Sequence, residues 1–294
     1  MRNVCIGLLF AGLAAAQDGT RGIVPEEVIA ARPQKMAGAV VSKPKYQALK
    51  TGAAQTGAAQ TGAMARLTPG RQIGVTIWRL RPGSSDDTGA RILVQEDNQT
   101  RTWVPERVSS GGSLRTGERV RMTIEAPEAG YLYVIDRERY ASGEGGTPYL
   151  IFPTSRTRSG DNRLSAGKLI DIPAQDDRPN YFTLQASRTD QAEEDLTVLL
   201  TPVPLPGIEP GAKPLALSAE QVAGWEKQWG SSKFDVFELA GGEGKRWTQA
   251  EQQAAGGTRV LTQEDPAPQT VYRVAAQAGD PLLVRVRLRY QKGK

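Results

Sequence analysis

The chain has 294 residues, with 37 basic and 32 acidic side chains for a net charge of +5, one cysteine and no histidine. The missing imidazole excludes Ser-His-Asp and Cys-His catalysis and the HExxH zinc site, and 32 Gly with 19 Pro favour a loop-rich β protein over long helices. The basic excess is small beside the number of charges, so it supports solubility and weak attraction to anionic surfaces without marking a nucleic-acid binder.

Met1-Arg2-Asn3, an apolar run over 4–13 and then Ala14-Ala15-Ala16 read as a secretory signal peptide, residues 1–16, cut after Ala16. The run is shorter than the roughly 20 apolar residues that span a bilayer, and no later stretch is longer. The mature protein is therefore expected to be exported, periplasmic or extracellular, and soluble. Cys5 lies inside the run and not directly behind a small-residue cleavage site, which disfavours a lipid anchor there. Without it the mature chain has no disulfide and no thiolate site, and rests on burial alone.

Residues 17–70 read as a disordered, low-complexity tether with TGAAQ at Thr51 and Thr56 and TGAMA from Thr61. Such repeats bury too little apolar area to offset the entropy of ordering. Only PEEVIAAR, 25–32, has the pattern of a helical turn or two. The alternative is a repeat that binds a partner or carries glycans on threonine.

Order is expected from about Gln72. In GVTIWRL, 74–80, Val75 and Ile77 alternate with Trp78 and Leu80 on the other face, a strand closed by Pro82-Gly83. Short strands follow over 92–94 and 102–104. ERVRMTIE, 118–125, turns Val120, Met122 and Ile124 one way and Arg119, Arg121 and Thr123 the other, a half-buried antiparallel strand. GYLYVID, 130–136, is apolar enough to be central. Further strands are read over 148–153, 168–172, 181–184 and 195–200, and turn signals between them predict an antiparallel β-sandwich. The proline-rich stretch 201–214 is a semi-rigid connector. Capping boxes at Ser218 and Thr248 start two short helices, the first with Val222, Trp225 and Trp229 on one face. A C-terminal strand pair, 270–275 and 283–290, closes the extension over 215–294.

Within this 71–294 unit, the segments LRTGERVRMTIEA (114–126), GYLYVID (130–136), LIFP (150–153), DNRLSAGKLIDIP (161–173) and EDLTVLLTPVP (194–204) stand in an order that resembles the DUF4384 family, a bacterial domain family of unknown function. The resemblance covers 114–202. It implies a small β-rich extracytoplasmic or accessory module with no assigned catalytic residue. Members are sometimes attached to signalling or proteolytic domains, and no such domain is read here. The matching positions are Gly130, Tyr131, Tyr133, Phe152, Pro153, Asn162, Gly167 and Pro173, and each also has a structural reading: close strand packing, core contact or a turn.

Four patterns invite a chemical reading. Ser165-Ala166-Gly167-Lys168 fits the S-x-x-K of acylating serine enzymes, but a glycine intervenes, a strand follows, and the partner motifs S-D-N and K-T-G are missing. Gly241-Gly242-Glu243-Gly244-Lys245 lacks the leading glycine and trailing hydroxyl residue of a phosphate loop. Carboxylates pair at Asp86-Asp87, Asp176-Asp177 and Glu193-Glu194-Asp195, which suits calcium or glycoside hydrolysis, yet adjacent strand residues point to opposite faces and do not converge by themselves. Arg285, Arg287 and Arg289 form an outward stripe spaced about 6.6 Å apart. It suits a row of phosphates or carboxylates, or else protects an edge strand.

The expectation is a mainly β protein, an antiparallel sandwich with two short helices behind a tether, acting as a non-enzymatic interaction or scaffold module at the bacterial cell envelope. Its partner would be an envelope protein or an anionic polymer, with no cofactor and no nucleic acid. The alternative is a carboxylate-dependent hydrolase of envelope glycan or peptide, which needs two acids from distant segments to meet in one cleft at about 5 to 10 Å.

Overall fold

The computed structural model describes residues 26–34, 44–49, 71–87, 89–96, 99–230 and 234–291. The expected signal peptide and the TGAAQ repeats lie outside the described residues. In chain order the elements are α1 (Glu26–Ala30), β1 (Tyr46–Leu49), β2 (Arg71–Pro82), β3 (Ile92–Glu96), β4 (Gln99–Val108), β5 (Ser113–Leu114), β6 (Arg119–Glu125), β7 (Gly130–Tyr140) and β8 (Tyr149–Phe152). A 3-10 turn at Arg158–Gly160 leads to β9 (Arg163–Leu164), β10 (Leu169–Ile172), β11 (Phe182–Thr183), β12 (Gln191–Thr201) and β13 (Leu215–Ala216). Then come α2 (Ala219–Trp229), β14 (Phe234–Leu239), α3 (Gln249–Ala255), β15 (Thr270–Val274) and β16 (Leu282–Tyr290).

Two sheets face each other, giving the mainly β, sandwich-like fold that the alternation predicts. The first runs β1-β14-β15-β2-β4-β3, with β6 along the opposite edge of β2 and β10 and β11 on β6. One edge of β2 serves β15 over 71–75 and β4 over 77–82. Thr76 sits at the handover and its Oγ1 accepts the Gln269 N–H at 2.9 Å. The second sheet runs β13-β8-β7-β12-β16-β5, with β9 also on β7. Between the sheets lie Val75, Ile77, Met122, Ile124, Leu132, Val134, Phe152, Val198, Val284 and Val286. Burial of these side chains is the main driving force for closing the two layers.

The outer faces are covered as well. α2 and the 202–217 connector lie on the second sheet, where Val222, Leu205 and Leu217 pack on Tyr133, Ile135 and Leu199. Ser218 caps α2 by accepting the Gln221 N–H, and Thr248 and Glu251 form a complete capping box on α3. Trp247, just ahead of α3, and Ala255 within it pack on Trp78, Leu80 and Ile92 of the first sheet. β6, read from sequence as half-buried, is therefore buried on both faces, and Arg121 is 1% exposed.

Three expectations are corrected. First, two stretches of the expected tether belong to the folded body. Val28 of α1 is buried against Phe237 and Val271, and β1 pairs with β14. Second, the two C-terminal strands do not pair with each other, because β15 joins the first sheet between β14 and β2 while β16 joins the second beside β12. Third, β14 is a strand the sequence reading omits. Val236 faces the core while Phe237 packs beneath α1, so the polar-apolar alternation that marks a half-buried strand is absent.

Candidate functional site

The resemblance positions act as local scaffolding. Tyr131 and Tyr133 share the outer face of β7, and the Tyr133 hydroxyl accepts the Leu205 N–H at 2.9 Å, tying the connector down. Gly130 is required by close approach, since a Cβ there would stand 2.7 Å from the Thr201 carbonyl oxygen. Phe152 is buried in the core, and Pro153 ends its strand. The Asn162 side chain donates to the Leu132 carbonyl at 3.0 Å while the Leu132 N–H donates to the Asn162 carbonyl at 2.8 Å. Gly167 adopts φ +67° under the Ala31 carbonyl, where a side chain would collide, so this turn is the seat on which the end of α1 rests. The Pro173 carbonyl accepts from Arg121.

The arginine stripe points outward as the alternation requires, but its charges are largely answered. Arg285 pairs with Glu226 of α2 at 2.7 Å, and Arg287 lies 3.8 Å from Glu193 of β12. Further along the same face Arg139 of β7 pairs with Asp195 of β12 at 3.1 Å. Arg289 remains exposed and opposes Glu193 across the strand pair. The face is a checkerboard of both signs rather than a cationic row.

An open cleft of about 840 Å³ lies where the 158–177 loops meet the segment that follows α3. Arg158, Arg163, Lys168 and Arg259 supply cations to its wall, and Asp161, Asp176 and Asp177 supply anions. Arg158 and Ser159 are adjacent non-glycine residues at φ 50° and 53°. Such conformations cost about 1–3 kcal/mol each and persist where the surroundings fix them. Here Asp177 anchors the first of them. Its carboxylate accepts the Arg158 N–H at 3.0 Å and the Ala174 N–H at 2.6 Å, although burial still holds its pKa above the ordinary value. Arg163 is tied to Asp161 at 2.9 Å and Arg259 to Asp265 at 2.7 Å, while Lys168 makes no ion pair among the described residues. Ser165 and Lys168 both line the cleft, but they bracket the Gly167 turn between β9 and β10 and not a helix start, so the S-x-x-K geometry is not formed.

Of the acidic runs only Glu193-Glu194-Asp195 lies on a strand, where alternation separates its side chains, while Asp176 and Asp177 both line the large cleft. Asp87 is held well below the usual carboxylate range by hydrogen bonds from Arg81 and Ser84. Glu193 and Asp195 face out, and Glu194 faces in. At the open end of the sandwich Glu194 meets Asp136, because the register sets Leu196 opposite Asp136 and Glu194 opposite Glu138. The Asp136 and Glu194 carboxyls lie side by side and perturb each other. Burial is the largest cause of both shifts and pushes Asp136 up to about 6 and Glu194 up to about 8. Glu194 Oε1 also accepts from Tyr290 at 2.8 Å and Gln191 at 2.7 Å. A cleft of about 230 Å³ opens beside them. Sequence reasoning missed this pair, since only the register of β7 against β12 brings residues so far apart in the chain together.

Among the described residues no group of three or more His, Cys, Asp or Glu is placed to hold a metal ion. No described helix is long and apolar enough to cross a membrane. Comparison with protein families, curated proteins and solved structures finds no match to this chain.

Proposed function

We propose that the protein is an exported, non-enzymatic interaction module of the bacterial cell envelope, a DUF4384-like domain that contacts an envelope protein or an anionic polymer through the 158–177 cleft. The carrying observation is the Arg158-Ser159 turn. Arg158 and Ser159 stand in the left-handed region on the wall of the 158–177 cleft, Asp177 accepts the Arg158 N–H, and Arg163 and Lys168 line the same cleft. Cations gathered on one wall suit phosphate or carboxylate groups. The stripe of Arg285, Arg287 and Arg289 is the weaker contact because Glu226 and Glu193 already answer two of its three charges.

Binding is favoured over hydrolysis by the acids themselves. Glycoside hydrolysis places its carboxyl groups at least about 5 Å apart, whereas Asp136 and Glu194 lie side by side beside a small cleft.

The test is retention on immobilised polyphosphate as a function of salt. Replacing Arg158, Arg163 and Lys168 together by Gln is expected to lower the slope of log retention against log salt by about one for each contacting cation. The matching triple replacement of Arg285, Arg287 and Arg289 should change it by less. Salt-independent retention, or retention untouched by the cleft variant, overturns this reading.

A further inference from the structure

The end of the sandwich carries a second site that the cleft reading does not use. Its lining includes Asp136, Glu138 and Glu194 and, among the described residues, no Lys or Arg. The remaining walls are apolar, with Met122 of β6, Ile151 of β8, Phe182 of β11, Leu184, and Leu288 of β16. Glu138 Oε2 is occupied by the hydroxyls of Tyr140 at 2.6 Å and Ser187 at 2.5 Å. Glu194 differs: it is 5% exposed, and its Oε2, like Asp136 Oδ1, receives no hydrogen bond from any N–H or O–H among the described residues. A proton shared between the two carboxyls would satisfy both. A buried acceptor left without a donor is costly, and two buried carboxylates side by side without a counter-ion are more so.

We propose that this cleft binds one primary ammonium group on an aliphatic stem, with the ammonium replacing the proton shared by Asp136 and Glu194 and the stem lying against Met122, Phe182 and Leu288. An ammonium has three donors, which suits Asp136 Oδ1 and Glu194 Oε2 together and leaves one for Glu138. The apolar walls take the methylenes, as lysine stems do elsewhere. The same chemistry is offered by a free alkylamine and by a lysine side chain on a peptide.

Binding by this route releases a proton. The other groups at the site are Glu138, Tyr140 and Tyr290, and Arg139 faces away to Asp195. Burial and the neighbouring Asp136 raise Glu194 to about 8, so at neutral pH the proton belongs to the pair. Affinity therefore rises with pH towards about 8, by up to tenfold per unit where one full proton is exchanged, and falls again only as the amine itself deprotonates near 10.4.

The experiment is calorimetric titration of the full chain with n-butylammonium and, separately, with N-acetyl-lysine methylamide, in two buffers of different ionisation enthalpy at pH 7. The expected result is binding with release of about one proton, weakened tenfold or more in both Glu194→Gln and Asp136→Asn and unchanged in Arg287→Gln. Equal binding of the two probes points to free amines as sufficient; binding of the lysine derivative alone points to a peptide. Far-UV circular dichroism and the melting temperature of each variant establish that it is folded, and in Glu194→Gln the new amide can donate to Asp136 in place of the proton. No binding of either probe by folded wild type, equal affinity in the folded carboxyl variants, or uptake of calcium in place of the amine overturns the proposal.

Discussion

Replacing Arg121 by Met is expected to lower the free energy of unfolding by about 3–5 kcal/mol at pH 7, the range seen when one member of a buried ion pair is removed. The Arg121 guanidinium pairs with Asp171, donates to the carbonyls of Asn180 at 3.0 Å and Pro173 at 2.8 Å, and lies over the Trp247 ring. Its loss strands a carboxyl that is fully buried. Burial already pushes Asp171 up to about 6 with Arg121 in place. A carboxyl whose folded pKa lies above its unfolded value takes up a proton on folding, so its contribution to stability declines as pH rises from about 4 through the folded pKa. Without Arg121 that pKa climbs further, and the defect should shrink as pH falls from 7 to 5. Denaturant unfolding at the two pH values reads this directly. The double variant Arg121→Met with Asp171→Asn should recover part of the loss at pH 7, and a single-variant loss below about 1 kcal/mol would show that the pair is not desolvated.

Replacing Arg32 by Ala is the second large effect, again about 3–5 kcal/mol, and it bears on how the N-terminal segment is held. Arg32 is 2% exposed and grips Glu125 at the end of β6 through Nε at 2.9 Å and Nη2 at 2.6 Å. It also donates to the carbonyls of Thr262, Asp265 and Pro266. The substitution leaves Glu125 buried without a counter-ion and releases the loop over 262–266 together with α1. Amide hydrogen exchange should therefore accelerate in 26–34 and 262–266 well beyond any change in β7 or β12. Unchanged protection in 26–34 would mean that the apolar contacts of Val28 hold the segment alone.

These two arginines show what the sequence conveys and what it hides. The period of two in LVRVRLRY puts Val284, Val286 and Leu288 inward and Arg285, Arg287 and Arg289 outward, as found. The S-x-x-Q and T-x-x-E patterns place both caps on the residues that make them. The same alternation sends Arg121 to the outer face of β6, which is also correct. What alternation does not say is whether an outer face meets water. Here α3 and Trp247 cover it, and an arginine that reads as solvated becomes a buried cation.

The candidate sites were legible to different degrees for the same reason. Ser165, Lys168 and Asp176-Asp177 are visible as local patterns, and they do gather at the large cleft. Their grouping with Arg259 depends on the segment after α3 returning to the β9–β10 loops, a long-range contact with no local signature. In the sequence Glu194 reads only as one of three consecutive acids. Its meeting with Asp136 follows from strand register, and the second half of β7, RERY, is polar enough to pass for a loop.

The most direct measurement for the account as a whole is a titration of the isotope-labelled protein with short polyphosphate, followed amide by amide by NMR. Shift changes concentrated at 158–168 and 254–261, and lost when Lys168 and Arg158 are both replaced by Gln, are the expected result. Changes centred on 285–289, or spread evenly over the surface, would contradict it.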